Sequence, residues 1–483
     1  MEGNSSNKCR NVHESVVFLL QNLFEMNRLW IRMQFIGPKG KEDMKEDRKD
    51  YEVFVGECIY RLGTLEGVTK EIYKNLLIPR LLSLISRVKE SISQEYLTAC
   101  VIQFFPSEFH LFTMEMLLKH FVSLESSVDV LTLFVSLIGR LINCASKQPK
   151  ELIGICQKVF EIVRKFADKI LEEQRGVIPL DKLIELECMI LKFALICYPN
   201  DIMRVESVFS LVFKLLEEKE FTMDTFGILA KLLAVPLDTL ALSVVCIPQF
   251  SPLTNCLSPK LKSNIQKEAL FSLIRSRSSI CDIEILKKLL TFITPLIEGE
   301  AGNGENSNEF EKIQSNIARI PHLVQCSDAL QEYTFLSILK ERFLKGEASK
   351  MKITLPSLIW RLFILGAKKE ELQAYTLAYD LISTLSSYNA EAAINLLLQG
   401  TVIIKTKELK LEYINKALSL YKERINGNYK LLVLIIGTLS SINIEGDLAI
   451  EVLKSSSELT NKKDQCKALL MCSHIFCNPY VIL

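Results

Sequence analysis

Glycine and proline are scarce in this chain, 19 and 14 among 483 residues. That scarcity disfavours a turn-rich β protein and favours long helices. A surplus of charge of either sign is missing as well. Lys plus Arg at 58 against Asp plus Glu at 57 leaves a net charge of +1, so the balance makes no electrostatic case for nucleic acid. Uninterrupted apolar runs are short: the longest, residues 431–437, is about a third of the stretch needed to cross a bilayer. The first fifteen residues, MEGNSSNKCRNVHES, are polar and lack the apolar core of a signal peptide. Histidine is rare too; five dispersed imidazoles leave little room for acid–base or metal chemistry.

What is present points one way. Hydrophobic residues make up 49% and charged residues 24%, so burial is ample. At 483 residues the chain exceeds one ordinary core and must be several domains or one repeat array. Its fourteen cysteines are scattered, and without an export signal they are expected to be reduced thiols in a cytosolic protein. Cys100, Cys188 and Cys197 lie on apolar helix faces, where free cysteine behaves as a small hydrophobe.

Periodicity predicts helix after helix. Residues 12–34 form one long amphipathic helix, broken by Gly37-Pro38. Residues 37–50, running into KGKEDMKEDRKD, read as a charged loop or link of mixed sign, a solvated stretch and not a nucleic-acid site. Leu131, Phe134, Ile138 and Leu141 make a helical stripe, as do Leu183, Leu186, Ile190, Phe193 and Cys197. Residues 247–259, with three prolines, read as a loop-rich elbow. Residues 298–308, EGEAGNGENSN, hold no large apolar side chain and read as a flexible loop between two halves. Their glycines suggest a phosphate loop, but no Gly-Lys-Ser/Thr follows and no strand precedes. Beyond them a helix is expected over 355–365, another over 369–386, and further ones to the C-terminal end.

The most informative stretch is QEYLTACVIQFFPSEFHL, residues 94–111. Tyr96, Cys100 and Phe104 recur four apart, with Leu97 and Val101 beside them, giving a broad apolar helix face. Pro106 ends that helix, because the residue before a proline is pushed out of the α region. A short link carries Phe109 and Leu111 as buried anchors, and a second helix is expected to open at Thr113 as N-cap, stapled by Phe112 and Leu117. His110 reads as a packed, hydrogen-bonded corner residue and not as a ligand.

Counted together, these are about twenty-two helices in consecutive pairs of about 40–47 residues, the period of HEAT-like arrays. The predicted fold is all-α: one elongated right-handed α-solenoid of HEAT-like antiparallel helix pairs over residues 1–483, near 100 Å long by about 8–10 Å per stacked helix. No catalytic, cofactor-binding or metal constellation is evident. Cys472, His474 and Cys477 cluster as CSHIFC, but a second ligand pair is missing, with only Cys466 nearby. No nucleophile motif, dinucleotide fingerprint or kinase signature appears, and neither an enzyme nor a cofactor is expected.

The same corner carries a resemblance. QEYL followed by FPSEFHL resembles the vacuolar protein sorting-associated protein 35 family, the long α-solenoid subunit of retromer. The signature positions are Gln94, Glu95, Tyr96, Leu97, Phe105, Pro106, Glu108, Phe109, His110 and Leu111. Collinear pieces extend the likeness over nearly the whole chain: FLLQNLFEMNRLWIRMQ (18–34), LEGV (65–68), LIGRL (137–141), CYPN (197–200), VPLDT (235–239) and ITLPSL (353–358). LLLQG (396–400), ALSLY (417–421), LIIGTL (434–439) and CSHIF (472–476) complete it.

The resemblance implies a non-catalytic scaffold of a peripheral coat on endosomes, acting in endosome-to-Golgi retrieval of transmembrane cargo. It implies a small metallophosphoesterase-fold subunit on the C-terminal half, and recruitment to membrane by sorting nexins and a Rab GTPase. The protein would then sit in the cytoplasm, on the cytosolic face of endosomes. Docking of the family's arrestin-fold subunit is doubtful, because its PRLYLMI-type motif has no counterpart beyond a superficial echo at Pro79-Arg80-Leu81-Leu82. The chain also begins about five family helices in and stops just past CSHIF, as a reduced member or an incomplete gene record would. Two other readings stay open: another HEAT-type scaffold, such as a nuclear transport receptor or a phosphatase scaffold, and an integral membrane protein, suggested by the mean hydropathy of +0.21. Near-zero net charge speaks against the transport receptor, and interrupted amphipathic helices against the membrane protein.

Overall fold

A computed structural model describes residues 3–35, 43–147, 149–174, 176, 178–218, 223–299, 307–369, 371–442 and 446–476. Among the described residues there is no strand, only an isolated parallel bridge between Ile280 and Val324. The fold is all-α. The chain divides into two compact units, Met1–Leu261 and Lys262–Leu483.

In the first unit each helix packs on those one and two places along the chain, the one-dimensional contact pattern of a solenoid. One row runs Asp43–Thr64, Ser91–Phe104, Val130–Lys147, Leu180–Cys197 and Met223–Ala234, each touching the next. A second row, Gly3–Phe35, Ile78–Arg87, Ser107–Ser123 and Pro149–Gln174, packs likewise along its length and against the first. Helix Leu180–Cys197 is covered by neighbours on several sides, which is why so much of it is apolar: Leu183, Leu186, Ile190, Leu191 and Phe193 are all at most 1% exposed.

Helix Val130–Lys147 is long and apolar enough to cross a membrane by length and composition, with a mean hydropathy of 1.4 over 18 residues. Its Phe134, Leu137, Ile138 and Leu141 are nonetheless wholly buried in protein packing, as in the core helix of an array.

The second unit repeats the pattern. Helices Ala348–Lys369, Ala390–Ile403, Tyr429–Ser440 and Lys462–Phe476 form one row, each in contact with the next. Leu372–Ser386, Lys407–Arg424 and Gly446–Ser457 pack between them from the other side. The rows approach closely. A Cβ on Gly400 would stand 2.7 Å from the Tyr413 ring and 2.8 Å from that of Phe363, so only a glycine lets these helices meet.

Several boundaries differ from those the sequence suggests. The first helix begins at Gly3 and not at Val12. Residues 43–50 of the presumed charged link belong to helix Asp43–Thr64, because Lys, Glu, Met and Arg are good helix formers whatever their charge; residues 37–42 lie outside the described residues. The elbow at 247–259 contains the short helix Phe250–Asn255. Helix Ala348–Lys369 runs straight through Pro356 instead of starting at 355. An interior proline costs about 3 kcal/mol, but Met351, Thr354, Leu355 and Leu358 are buried on either side of it, and that burial carries the helix across. Helix Ile283–Glu298 ends, and Ser307–Ile317 begins, inside the presumed loop 298–308; residues 300–306 lie outside the described residues. The two units part at Leu261/Lys262, within helix Pro259–Ser276, and not at that loop.

Candidate functional site

The signature stretch folds into a joint. Helix Ser91–Phe104 starts with Glu90 as cap, its carboxylate accepting from Ile92 N and Ser93 N. It ends at Phe105, held extended at ψ 151° by the proline that follows. The next helix, Ser107–Ser123, is capped by Pro106 with φ −57°. It therefore starts six residues before Thr113. Thr113 is no cap; its hydroxyl donates to Phe109 O one turn back at 3.1 Å. Proline carries a preset φ and lacks only an N–H that a helix start leaves unpaired anyway, so the corner shrinks to Phe105-Pro106. Of the expected anchors Leu111 is buried and Phe109 half-buried, while Phe112 is 36% exposed, so the presumed staple with Leu117 is not a buried contact.

Three links tie the two helices together at growing distance from the corner. His110 Nε2 lies 3.2 Å from Ile102 O. His120 Nε2 lies 3.2 Å from the Thr98 hydroxyl. Farthest out, Gln94 Oε1 accepts from Glu125 N at 2.9 Å while its Nε2 donates to Val88 O at 2.6 Å. One amide thus closes the turn before the first helix and the turn after the second. The helices run antiparallel.

Neighbouring elements converge on the corner. The π-helical turn Tyr73–Leu77 places the Tyr73 ring 5.1 Å from both Phe105 and Phe109. The Tyr73 hydroxyl meets His110 Nδ1 at 3.1 Å. Arg140 Nη2 donates to Phe105 O at 2.8 Å, satisfying the carbonyl that the bend leaves over. Tyr96 reaches back to the preceding pair, its hydroxyl donating to Glu52 O at 2.9 Å and its ring edge-on to Trp30 at 5.5 Å. That hydroxyl approaches so near helix Asp43–Thr64 that a Cβ on Gly56 would sit 2.3 Å from it. Leu97 is wholly buried, Glu95 half-buried, and Glu108 makes a loose 3.5 Å pair with Lys70. So the structure gathers the signature residues at one corner as a brace, with Gln94, Leu97, Phe105, His110 and Leu111 buried, Pro106 exposed and the rest half-buried.

The chemistry of the brace is that of packing. Burial pushes the His110 imidazole down to about 4, with Arg140 adding to the effect and the Ile102 carbonyl opposing it. Burial alone brings His120 to about 4. Desolvation raises the Tyr73 phenol. All three are neutral near pH 7, so they act there as hydrogen-bond partners and not as charged groups.

Among the described residues no group of three or more His, Cys, Asp or Glu converges as a metal site would require. Cys472 is buried with its Sγ 3.4 Å from Ser456 Oγ, and His474 and Cys466 are exposed; Cys477 lies outside the described residues.

Two further buried nodes carry no local sequence signal. Glu187 is fully buried and takes two bonds from Arg164, at 2.8 and 3.1 Å. Glu332, 3% exposed, holds Arg361 at 2.6 Å and Lys369 at 2.8 Å. These partners lie 23 to 37 residues apart, and no periodicity argument could pair them.

One surface feature bears on partner binding. In the second unit, Trp360, Val402, Leu434 and Leu470 are all between 38% and 69% exposed. Each stands on a different helix of a single row, Ala348–Lys369, Ala390–Ile403, Tyr429–Ser440 and Lys462–Phe476. Scattered exposed hydrophobics need no explanation; here one stands on every helix of a stacked row.

Comparison with known proteins follows the same line. The family described as Vacuolar protein sorting-associated protein 35 matches residues 1–481. Vacuolar protein sorting-associated protein 35A of Arabidopsis thaliana is 28% identical over 500 residues, covering 96% of this chain and 63% of its own length. The Dictyostelium discoideum protein 35 is 28% identical over 510 residues, covering 96% and 64% respectively. The Schizosaccharomyces pombe relative is 23% identical over 538 residues, covering 96% and 63%. The chain therefore spans a little under two thirds of the length of these relatives. A circular tandem repeat protein of solved structure aligns over 96% of this chain and 97% of its own, at 12% identity and a TM-score of 0.17, too low to bear on the fold.

Proposed function

The chain belongs to the Vacuolar protein sorting-associated protein 35 family, and on that premise we propose that it is a scaffold subunit of the retromer coat, acting in endosome-to-Golgi retrieval of transmembrane cargo. The observation that carries this reading is the match over residues 1–481, supported by an all-α array with buried polar side chains committed to bracing. The protein works by binding and catalyses nothing.

A small metallophosphoesterase-fold subunit docks on the C-terminal half, where the row bearing Trp360, Val402, Leu434 and Leu470 offers apolar anchor points. Sorting nexins and a Rab GTPase bring the assembly to the cytosolic face of endosomes, so that contact with membrane is peripheral. Docking of an arrestin-fold partner stays doubtful. The partial echo of its PRLYLMI-type motif at Pro79–Leu82 has Pro79 and Arg80 exposed but Leu81 and Leu82 buried.

The experiment is affinity purification of the tagged chain under gentle lysis, followed by mass spectrometry. Recovery of a small phosphoesterase-fold protein, reduced at least tenfold by the pair Trp360→Asp and Leu434→Asp, is the expected result. A fully folded chain that retrieves no such protein would overturn the assignment.

A further inference from the structure

We propose that the cleft between helices Pro149–Gln174 and Ile202–Glu218 receives a short basic segment of a partner protein, one that presents a large apolar side chain flanked by lysines or arginines. Both helices belong to the first unit and pack on Leu180–Cys197, which lies between them in the chain. At one end they meet directly. Glu161 and Arg204, 43 residues apart, pair at 3.1 Å. The Arg204 guanidinium also lies over the rings of Tyr198 and Phe160, at 4.0 and 5.0 Å, and holds Asp201 at 3.0 Å. Acid faces base there, and the joint closes.

Farther along, the match fails. The same offset of 43 residues sets Asp168 beside Leu211 and Glu172 beside Leu215. A carboxylate gains nothing from a leucine and is costly to bury unpaired, so the two helices leave the space between them unfilled. A cavity of about 420 Å³ opens at that place, and its described walls are Asp168, Leu171, Glu172, Leu211 and Leu215. Ligand sites usually measure about 300–1,000 Å³. Leu171 and Leu215 are buried, Leu211 is half-buried, and both carboxylates reach solvent at the rim.

The rim carries one sign. Arg164 holds Asp168 at 2.6 Å, but the same guanidinium gives two bonds to the fully buried Glu187. One positive charge thus answers two carboxylates, and a negative charge is left over on the side of the cleft. Glu172, one turn on, adds a second. Lys169 turns to Glu173 instead, at 3.6 Å, and no lysine or arginine is among the described residues that line the cavity. An apolar floor under a negative rim disfavours phosphate-bearing partners and anionic membrane, and favours a cationic segment with an apolar anchor. The anchor fills the space over Leu171, Leu211 and Leu215, and its basic neighbours reach Asp168 and Glu172. Occupancy of this cleft does not depend on any subunit docked on the second unit.

The test is fluorescence anisotropy of the purified full chain with a panel of short labelled peptides. One set has Leu, Phe or Trp at the centre with two Lys or Arg residues on each side. A second set places the same centres between Glu residues, and a third places Ser between the basic residues. The first set should bind saturably, at least tenfold more tightly than the others, and more weakly as salt rises from about 0.01 to about 0.15 M. Asp168→Asn combined with Glu172→Gln should lower the affinity roughly three- to tenfold. Leu211→Trp, which fills the cleft from its own wall, should remove binding, and Glu57→Gln, on an exposed pair elsewhere, should change nothing. All variants are compared at circular dichroism matching the parent. The proposal is overturned if no peptide of the first set binds with a Kd below about 1 mM, if the Ser-centred peptides bind equally well, or if binding survives the double charge variant undiminished. Spermine binding where no peptide does would overturn it too, and assign the cleft to a small polyamine.

Discussion

Tyr73 and His110 lie 37 residues apart in the chain and 3.1 Å apart in the fold. His110 spends its other nitrogen on Ile102 O, so one neutral ring joins three elements without leaving either of its nitrogens over. Replacing His110 by alanine strands the buried Ile102 carbonyl and removes one partner of the Tyr73 hydroxyl, and a stranded buried group costs about 1–3 kcal/mol. Urea denaturation should show a lower midpoint for His110→Ala, and His110→Gln, which keeps one donor and one acceptor, should recover part of the loss.

The same burial makes stability depend on pH. A free imidazole titrates near 6.5, whereas His110 and His120 are held down to about 4. Between those values the unfolded chain binds more protons than the folded one. The contribution is therefore fully present above pH 6.5 and is lost as the pH falls toward 4, by up to about 1.4 kcal/mol per pH unit for each histidine. Urea midpoints measured at pH 7.5 and 5.0 should drop accordingly, and His120→Gln should flatten the decline. An equal midpoint at both values would refute the assignment.

Gln94 is the second brace. Truncation to alanine frees Val88 O and Glu125 N together, at a cost of about 1–3 kcal/mol for the pair of lost bonds. The local readout is sharper than the global one: amide exchange at Glu125 should quicken in Gln94→Ala while exchange within helix Leu180–Cys197 stays as in the parent.

Glu332 should behave as a buried charge with two dependents. Its removal leaves Arg361 and Lys369 facing each other without compensation, and breaking a buried pair in this way costs about 3–5 kcal/mol. Thermal melting should drop steeply for Glu332→Ala. Glu57→Ala, which removes an exposed pair with Arg61, should leave the melt unchanged.

Two glycines give opposite signs for one substitution. Gly400→Ala drives a methyl into the rings of Tyr413 and Phe363, an overpacking of about 1–3 kcal/mol. Gly437 lies inside helix Tyr429–Ser440, and a methyl placed there would meet nothing within 4 Å. Gly437→Ala should therefore stabilise by about 0.5–1 kcal/mol through helix propensity. Denaturation midpoints of the two variants should move in opposite directions.

Much was legible in the amino-acid order alone. Scarce glycine and proline together with 3.6-residue apolar stripes determine that the chain is helical throughout, and stripes such as Leu183, Leu186, Ile190 and Phe193 named the buried faces, because periodicity is a property of neighbouring residues. The order of motifs also determined the family. Tertiary structure decided what depends on distant partners. Pro356 reads locally as a helix boundary, yet burial on both sides carries the helix past it. Thr113 reads as a cap, yet Pro106 had already started that helix. The pairing of Glu332 with Arg361, and the bridge between Ile280 and Val324, come from stacking helices whose sequence separation no local pattern encodes.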